Sequence, residues 1–127
     1  MTALLDTHVF LWAIRTKGSL SVRAKAVLEA PGTFLLSHTS LWEVVIKAGR
    51  GKLNLPRPVM PFLVEQAALN RVQLLPIRLG HLEQLERLPL LHRDPFDRLL
   101  VSQALAEGIA LISADGQLSR YGVEVIW

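Results

Sequence analysis

The residues best suited to chemistry in this chain are acidic and few. Only four aspartates occur, Asp6, Asp94, Asp97 and Asp115, and each falls where an apolar run ends or a helical pattern begins. Asp6 follows Leu4-Leu5. Asp94 and Asp97 frame Asp94-Pro95-Phe96-Asp97-Arg98, which opens the most apolar helical stretch, and Asp115 follows Ala110-Leu111-Ile112 and Ser113. Glu43 joins them from Ser40-Leu41-Trp42-Glu43, near the start of another helix. Several carboxylates on one edge repel one another and raise their own pKa values unless a cation neutralises them. Oxygen-only ligands suit Mg²⁺ or Mn²⁺, and such an ion polarises a phosphate oxygen and acidifies a bound water. Zinc fits poorly: there is no Cys, and His8, His38, His81 and His92 lack ligand spacing. Those histidines are expected at the surface or at caps, with His92 the exception because it lies close to Asp94.

Each acid also has a plain structural explanation. Asp6 can cap the helix that follows it. Ser40 and Glu43 have the spacing of a capping box, Glu43 can pair with Lys47 four residues on, and a stripe of Leu41, Trp42, Val45 and Ile46 leaves Glu43 off the core face. Asp94 followed by Pro95 is a standard helix start, and Asp97 in the first turn favours the helix dipole. An Asp-Gly turn accounts for Asp115 and Gly116, with Ser113 a turn former or a second hydrogen-bonding group. Asp97 is the hardest to dismiss. It shares a helical face with Val101 and Ala104, so it belongs at the rim of the core, where a carboxylate needs a partner.

Short apolar runs alternate with helical patterns along the chain. Strands are expected at Ala3-Leu4-Leu5, 33–37, 72–77, 109–113 and 123–126. Helices are expected at 8–15, 21–30, from Thr39 or Ser40 to about Gly49, at 62–71, 80–88 and 94–107, with one turn after Asp115. Fully apolar strands alternating with helices imply an α/β fold of one domain over residues 1–127, with a mainly parallel sheet sandwiched by helices. Right-handed crossovers put every strand-to-helix turn on one edge, and ligands bind at the carboxyl ends of strands where strand order reverses. The five acids can therefore face one cleft.

Composition sets the bounds. The chain has 127 residues, half of them hydrophobic, and a mean hydropathy of +0.32, enough for one domain with a real core. No apolar run reaches the roughly 20 residues of a membrane span, and no basic segment precedes the first apolar stretch, so a soluble cytoplasmic domain without membrane contact is expected. Without Cys there is no disulfide scaffold and no thiol nucleophile. The net charge is +3, ordinary for this size. If the five acids gather in a cleft, however, fourteen basic residues face six remaining acidic ones elsewhere, which suits a polyanion bound through its phosphates.

Taken in order, Leu4-Leu5-Asp6-Thr7-His8, Ser40-Leu41-Trp42-Glu43 with Lys47, the run from Leu88 through His92-Arg93-Asp94-Pro95-Phe96-Asp97-Arg98 to Leu100, and Ile112-Ser113-Ala114-Asp115 resemble a PIN domain of the VapC toxin type. The likeness spans essentially the whole chain, and the His-Arg-Asp-Pro-Phe-Asp-Arg stretch is its most specific part. It implies about five parallel strands between helices and Mg²⁺- or Mn²⁺-dependent endoribonuclease activity on structured RNA, such as tRNA or rRNA. It also implies a VapB-type antitoxin partner and a homodimer or toxin–antitoxin hetero-oligomer. The family's acidic quartet falls on Asp6, Glu43, Asp97 and Asp115, with Asp94 a further candidate metal ligand and Ser113 a supporting residue. Arg98, Lys47, Arg50 and Lys52 are candidate phosphate contacts, with helix-end charge as their plain alternative. Phe10, Trp12 and Trp42 are candidates for an antitoxin groove.

Other acidic α/β families fit less well. A response-regulator receiver needs an acidic pair after the first strand, but Thr7 follows Asp6. An Asp-x-Asp phosphatase fails at His8, and a Rossmann module lacks the Gly-rich first turn. Two rivals stay open: a non-catalytic RNA- or antitoxin-binding module whose carboxylates are all structural, and a metal nuclease acting on DNA.

Overall fold

A computed structural model describes residues 1–127. Five parallel strands, β1 (Thr2–Leu5), β2 (Thr33–Ser37), β3 (Val72–Leu75), β4 (Ala110–Ile112) and β5 (Val125–Ile126), form one sheet in the order β3-β2-β1-β4-β5. The helices are α1 (Thr7–Arg15), α2 (Val22–Glu29), α3 (His38–Gly49), α4 (Val59–Leu69), α5 (Leu79–Arg87) and α6 (Pro95–Glu107), with short 3₁₀ turns at Lys17–Ser19 and Gly116–Tyr121. No helix is long and apolar enough to cross a membrane.

Two-residue alternation in β1 divides the core. Ala3 and Leu5 pack with Val9, Phe10, Leu41, Val44 and Leu63, on the face covered by α1, α2, α3 and α4. Leu4 points the other way, into Leu100, Val101, Ala104, Leu111 and Leu118, on the face covered by α6. Strands covered on both faces are apolar throughout, the pattern of a parallel sheet. Each fully buried leucine contributes about 1.5–3 kcal/mol relative to exposure.

The expected elements are all present, with shifted ends. β3 stops at Leu75 because Pro76 cannot donate to the ladder. α4 begins at Val59, ahead of the expected Phe62, and carries Pro61 in its first turn, where backbone N–H groups have no partner in the helix. α6 closes on Gly108 in the left-handed conformation (φ 67°), turning the chain back into β4.

The consequential difference is in α3. Its N-cap is Ser37, whose Oγ accepts from the Thr39 N–H at 2.8 Å, so the helix starts ahead of Ser40 and the expected Ser40–Glu43 capping box does not form. The buried stripe is Leu41, Val44 and Ala48, whereas Trp42 is 52% exposed and Val45 also faces outward. Glu43, expected off the core face, is 3% exposed.

Candidate active site

Strand β1 is the switch point of the sheet, with β2 on one side and β4 on the other. Leu5 is in register with both Leu36 and Ile112, so the next residue along, Asp6, emerges beside Ser113 at the carboxyl end of β4. The Asp6 N–H donates to Ile112 O at 2.9 Å and fixes this position. Asp6 occupies the N-cap position of α1 but makes no side-chain cap hydrogen bond of normal geometry, the nearby His8 N–H only favouring its charged form, so capping does not account for this residue. Its Oδ2 accepts from Ser113 Oγ at 2.6 Å, while Oδ1 is buried with no partner. The residue is 6% exposed, and desolvation pushes its pKa above the ordinary carboxylate value despite the Ser113 hydrogen bond.

Thr7 leads to Glu43. Its Oγ1 donates to Glu43 Oε1 at 2.7 Å and shares a hydrogen bond with Ser40 Oγ at 2.8 Å. The other Glu43 oxygen pairs with Lys47 Nζ at 2.5 Å. This i,i+4 pair, expected from the spacing, lies against the acidic cluster. Lys47 is pushed above its usual pKa, first by the hydrogen bond to Glu43 and then by the negative charge of Glu43, Asp94 and Asp97, outweighing desolvation.

Helix α6 supplies the other wall. Asp94 is a true N-cap, its Oδ1 accepting from the N–H groups of Phe96 (2.8 Å) and Asp97 (3.2 Å). Asp97, one turn in, is 21% exposed, and its pKa is raised to about 7. Burial is the main cause, repulsion from Asp6 and Asp94 comes next, and His92 works against the rise. Asp115 caps its own 3₁₀ turn through the Gln117 N–H at 3.1 Å, as an Asp-Gly turn should. Its Oδ2 lies 3.2 Å from His92 Nε2, which is also 3.7 Å from Asp97 Oδ2.

His92, Asp97 and Asp115 thus bring potential ligand atoms within 4.8 Å of one another. His92 Nδ1 accepts from the Asp94 N–H at 3.1 Å, which leaves the proton on Nε2 as a donor to the carboxylates. His92 orients the acids rather than competing with them as a nitrogen ligand. The position of His92 two residues before the Asp94 cap was the only sequence signal for this role. A pocket of about 300 Å³ is lined by Asp6, His8, Trp12, Asp97, Ala114 and Asp115. The donor set is hard oxygen, excess negative, and includes the unpartnered Asp6 Oδ1, so it fits a divalent cation.

The structure separates the remaining candidate residues. Arg98 Nη2 donates to Leu88 O at 3.0 Å, stapling the preceding loop to α6, while its buried Nε has no partner. Arg50 and Lys52 are exposed beyond α3, Arg50 about 10 Å along the axis from Glu43 at 1.5 Å per residue. Lys47 alone of the four basic candidates stands by the acids. Phe10, Trp12 and Trp42 form no common groove. Phe10 is buried in the core, Trp12 lines the acidic pocket, and Trp42 packs edge-on to Phe96 (4.8 Å, 78°) beside a separate apolar groove with Leu41, Val45, Met60 and Val64. Positions 10 and 12 point about 200° apart on a helix, so they cannot share one face.

His81, expected at the surface or at a cap, is a buried cap. Its Nδ1 accepts from the Arg78 N–H at 3.0 Å and its Nε2 meets Glu107 Oε2 at 3.0 Å. It adjoins Gln103 of α6, whose Oε1 accepts from Ser37 Oγ and from Thr39 Oγ1 at 3.1 Å. Gln103 therefore ties the N-terminus of α3, which carries Glu43, to α6, which carries Asp97.

The family model for the PIN domain matches residues 3–124. No curated protein matches the chain by sequence. Among solved structures, the chain is similar to VapBC2 from Rickettsia felis, described as bound to a DNA fragment from the promoter. The identity is 17% and the TM-score 0.73, with 98% of this chain and 97% of that one covered. It is similar to FitAcB from Neisseria gonorrhoeae at 18% identity and a TM-score of 0.70, covering 97% and 95%. A toxin–antitoxin complex from Klebsiella pneumoniae matches at 19% identity and a TM-score of 0.64, covering 98% and 96%. At these identities the likeness is one of fold.

Proposed function

This chain belongs to the PIN domain family, and on that premise we propose that it is a Mg²⁺- or Mn²⁺-dependent endoribonuclease of the VapC toxin type. It would act on structured RNA, such as tRNA or rRNA, and be silenced by a VapB-type antitoxin. The observation that carries the proposal is Asp6: a carboxylate at a helix cap position that makes no well-formed capping hydrogen bond and keeps one buried oxygen without a partner, in the same pocket as Asp97 and Asp115. A structural acid would have used that oxygen.

Asp6, Asp97 and Asp115 would hold the ion, with Glu43 flanking them. When bound, the ion supplies Lewis acidity toward a phosphate oxygen and acidifies a water for in-line attack. Ser113 holds Asp6 by one oxygen and leaves the other free to ligate. The His92 Nε2–H fixes Asp115 beside Asp97. Lys47, paired with Glu43, would meet a phosphate as it enters. Asp94 serves by starting α6 at the point that sets Asp97 in the wall. An antitoxin partner is supported by the likeness to the Klebsiella pneumoniae toxin–antitoxin complex, and a homodimer or a hetero-oligomer with that partner is part of the proposal.

The test is incubation of antitoxin-free protein with total RNA and Mg²⁺ or Mn²⁺, with EDTA and Asp97→Asn as controls. Discrete fragments lost in both controls are expected. No cleavage, or cleavage that survives Asp97→Asn, contradicts the proposal and favours a binding module with structural acids.

A further inference from the structure

The acidic pocket has an aromatic wall that hydrolysis itself does not require. Besides Asp6, Asp97 and Asp115, its lining is His8, Trp12 and Ala114. The Trp12 indole has two ring neighbours, His8 at 5.8 Å (40° between planes) and Trp127 at 5.7 Å (49°). His8 is exposed, and Trp12 and Trp127 are half-buried, resting on the core without being enclosed by it. Along α1, His8, Trp12 and Arg15 stand at i, i+4 and i+7 and so share one face. Arg15 ends that face exposed, with no ion pair or side-chain hydrogen bond. The face thus runs from the carboxylates across two rings to a free cation.

The volume is also larger than a metal needs. About 300 Å³ is the liquid share of roughly ten waters at about 30 Å³ each, whereas Mg²⁺ retains only several. Room is left beside the ion for a flat group.

We infer that His8 and Trp12 form a stacking wall for an unpaired base next to the scissile phosphate, with Arg15 meeting the backbone beyond it. The inference rests on the nuclease reading and adds how the site selects its substrate. Every base has a π-face, so such a wall tolerates sequence. A base inside a duplex is already stacked on its neighbours and cannot present that face, whereas loop bases can be splayed onto aromatic side chains. Selection is therefore for unpaired RNA at the cleavage point.

The experiment uses an RNA of about 20 nucleotides, single-stranded or annealed to its complement, cleaved with Mn²⁺ by the wild type, Trp12→Leu and Trp12→Phe. Leucine keeps apolar packing on the core but has no π-face, while phenylalanine retains one. For the single strand, Trp12→Leu should raise KM about 10–100-fold with kcat little changed, and Trp12→Phe should stay within a few-fold of wild type. On the duplex, the three proteins should share one KM. Quenching of tryptophan fluorescence by the single strand in EDTA reads stacking without turnover. An unchanged KM in Trp12→Leu, or equal losses on single strand and duplex, overturns the wall. A Trp12→Leu protein that handles RNA normally but no longer holds its antitoxin overturns it too, and reassigns the ring to protein docking. The two readings fail separately. Cleavage without any quench removes the wall and keeps the nuclease. Quench without cleavage, lost in Trp12→Leu, keeps the wall and removes the nuclease.

Discussion

Replacing Asp97 by asparagine should stabilise the metal-free protein near pH 8 while abolishing metal-dependent activity. Asp97 has a folded-state pKa of about 7, against about 3.9 in an unfolded chain. The folded state therefore holds a proton that the unfolded state releases, and stability falls as pH rises from about 4 to about 7. The full difference of about three pKa units is worth about 4 kcal/mol at pH 8, and only about 1 kcal/mol at pH 4.5. Asparagine is neutral at both values and escapes the penalty. Against this gain stand the loss of a first-turn negative charge, about 0.3–1 kcal/mol, and the partial solvent access of a side chain that is 21% exposed. The expected net stabilisation near pH 8 is about 1–3 kcal/mol, or roughly 4 °C in Tm per kcal/mol, shrinking toward zero at pH 4.5. Thermal unfolding in EDTA at the two pH values is the assay. Equal destabilisation of Asp97→Asn at both values would refute the claim that the cluster stores repulsion. Saturating Mn²⁺ should reverse the ranking, since ligand at about 1,000 times its Kd stabilises by about 4.1 kcal/mol and only the wild type would bind it.

Ser113→Ala removes the 2.6 Å hydrogen bond to Asp6 Oδ2 and should weaken Mn²⁺ affinity about 10–100-fold, measured by calorimetric titration. At Asp94, asparagine should keep the helix cap within a few tenths of a kcal/mol, whereas alanine should lose about 1 kcal/mol, read from denaturant midpoints. Gln103→Leu strips Ser37 and Thr39 of their shared acceptor. It should destabilise the fold by about 2–6 kcal/mol, at 1–3 for each of the two hydroxyls left without an acceptor, in the same denaturant assay.

The parallel sheet and the common edge of Asp6, Asp97 and Asp115 follow from features the sequence shows locally, apolar runs, turns and the chirality of crossovers, whereas the strand order is set by long-range packing that no local pattern carries. Glu43 was harder to place. α3 is apolar on more than one side, so Leu41-Trp42-Val45-Ile46 and Leu41-Val44-Ala48 are both credible stripes, and Ser37 and Ser40 are both credible caps. Burial on the sheet chose the second stripe and the earlier cap, and turned Glu43 inward. Arg98 could not be separated from a phosphate contact because its partner is a backbone carbonyl ten residues away, on a loop with no periodicity to read. Trp12 and Trp42 differ only in what lies across from them. One meets carboxylates delivered by β1, β4 and α6, the other an apolar groove, and neither neighbourhood is written within a few residues of the tryptophan.

Asp6 is where the metal account and the structural account divide most sharply. The most direct measurement is an anomalous-difference map from crystals of the free protein soaked in Mn²⁺. A peak within coordination distance of Asp6 Oδ1, shared with Asp97 and Asp115, is the predicted result. Crystals that take up Mn²⁺ elsewhere, or not at all, while Asp6 Oδ1 stays bare would contradict it.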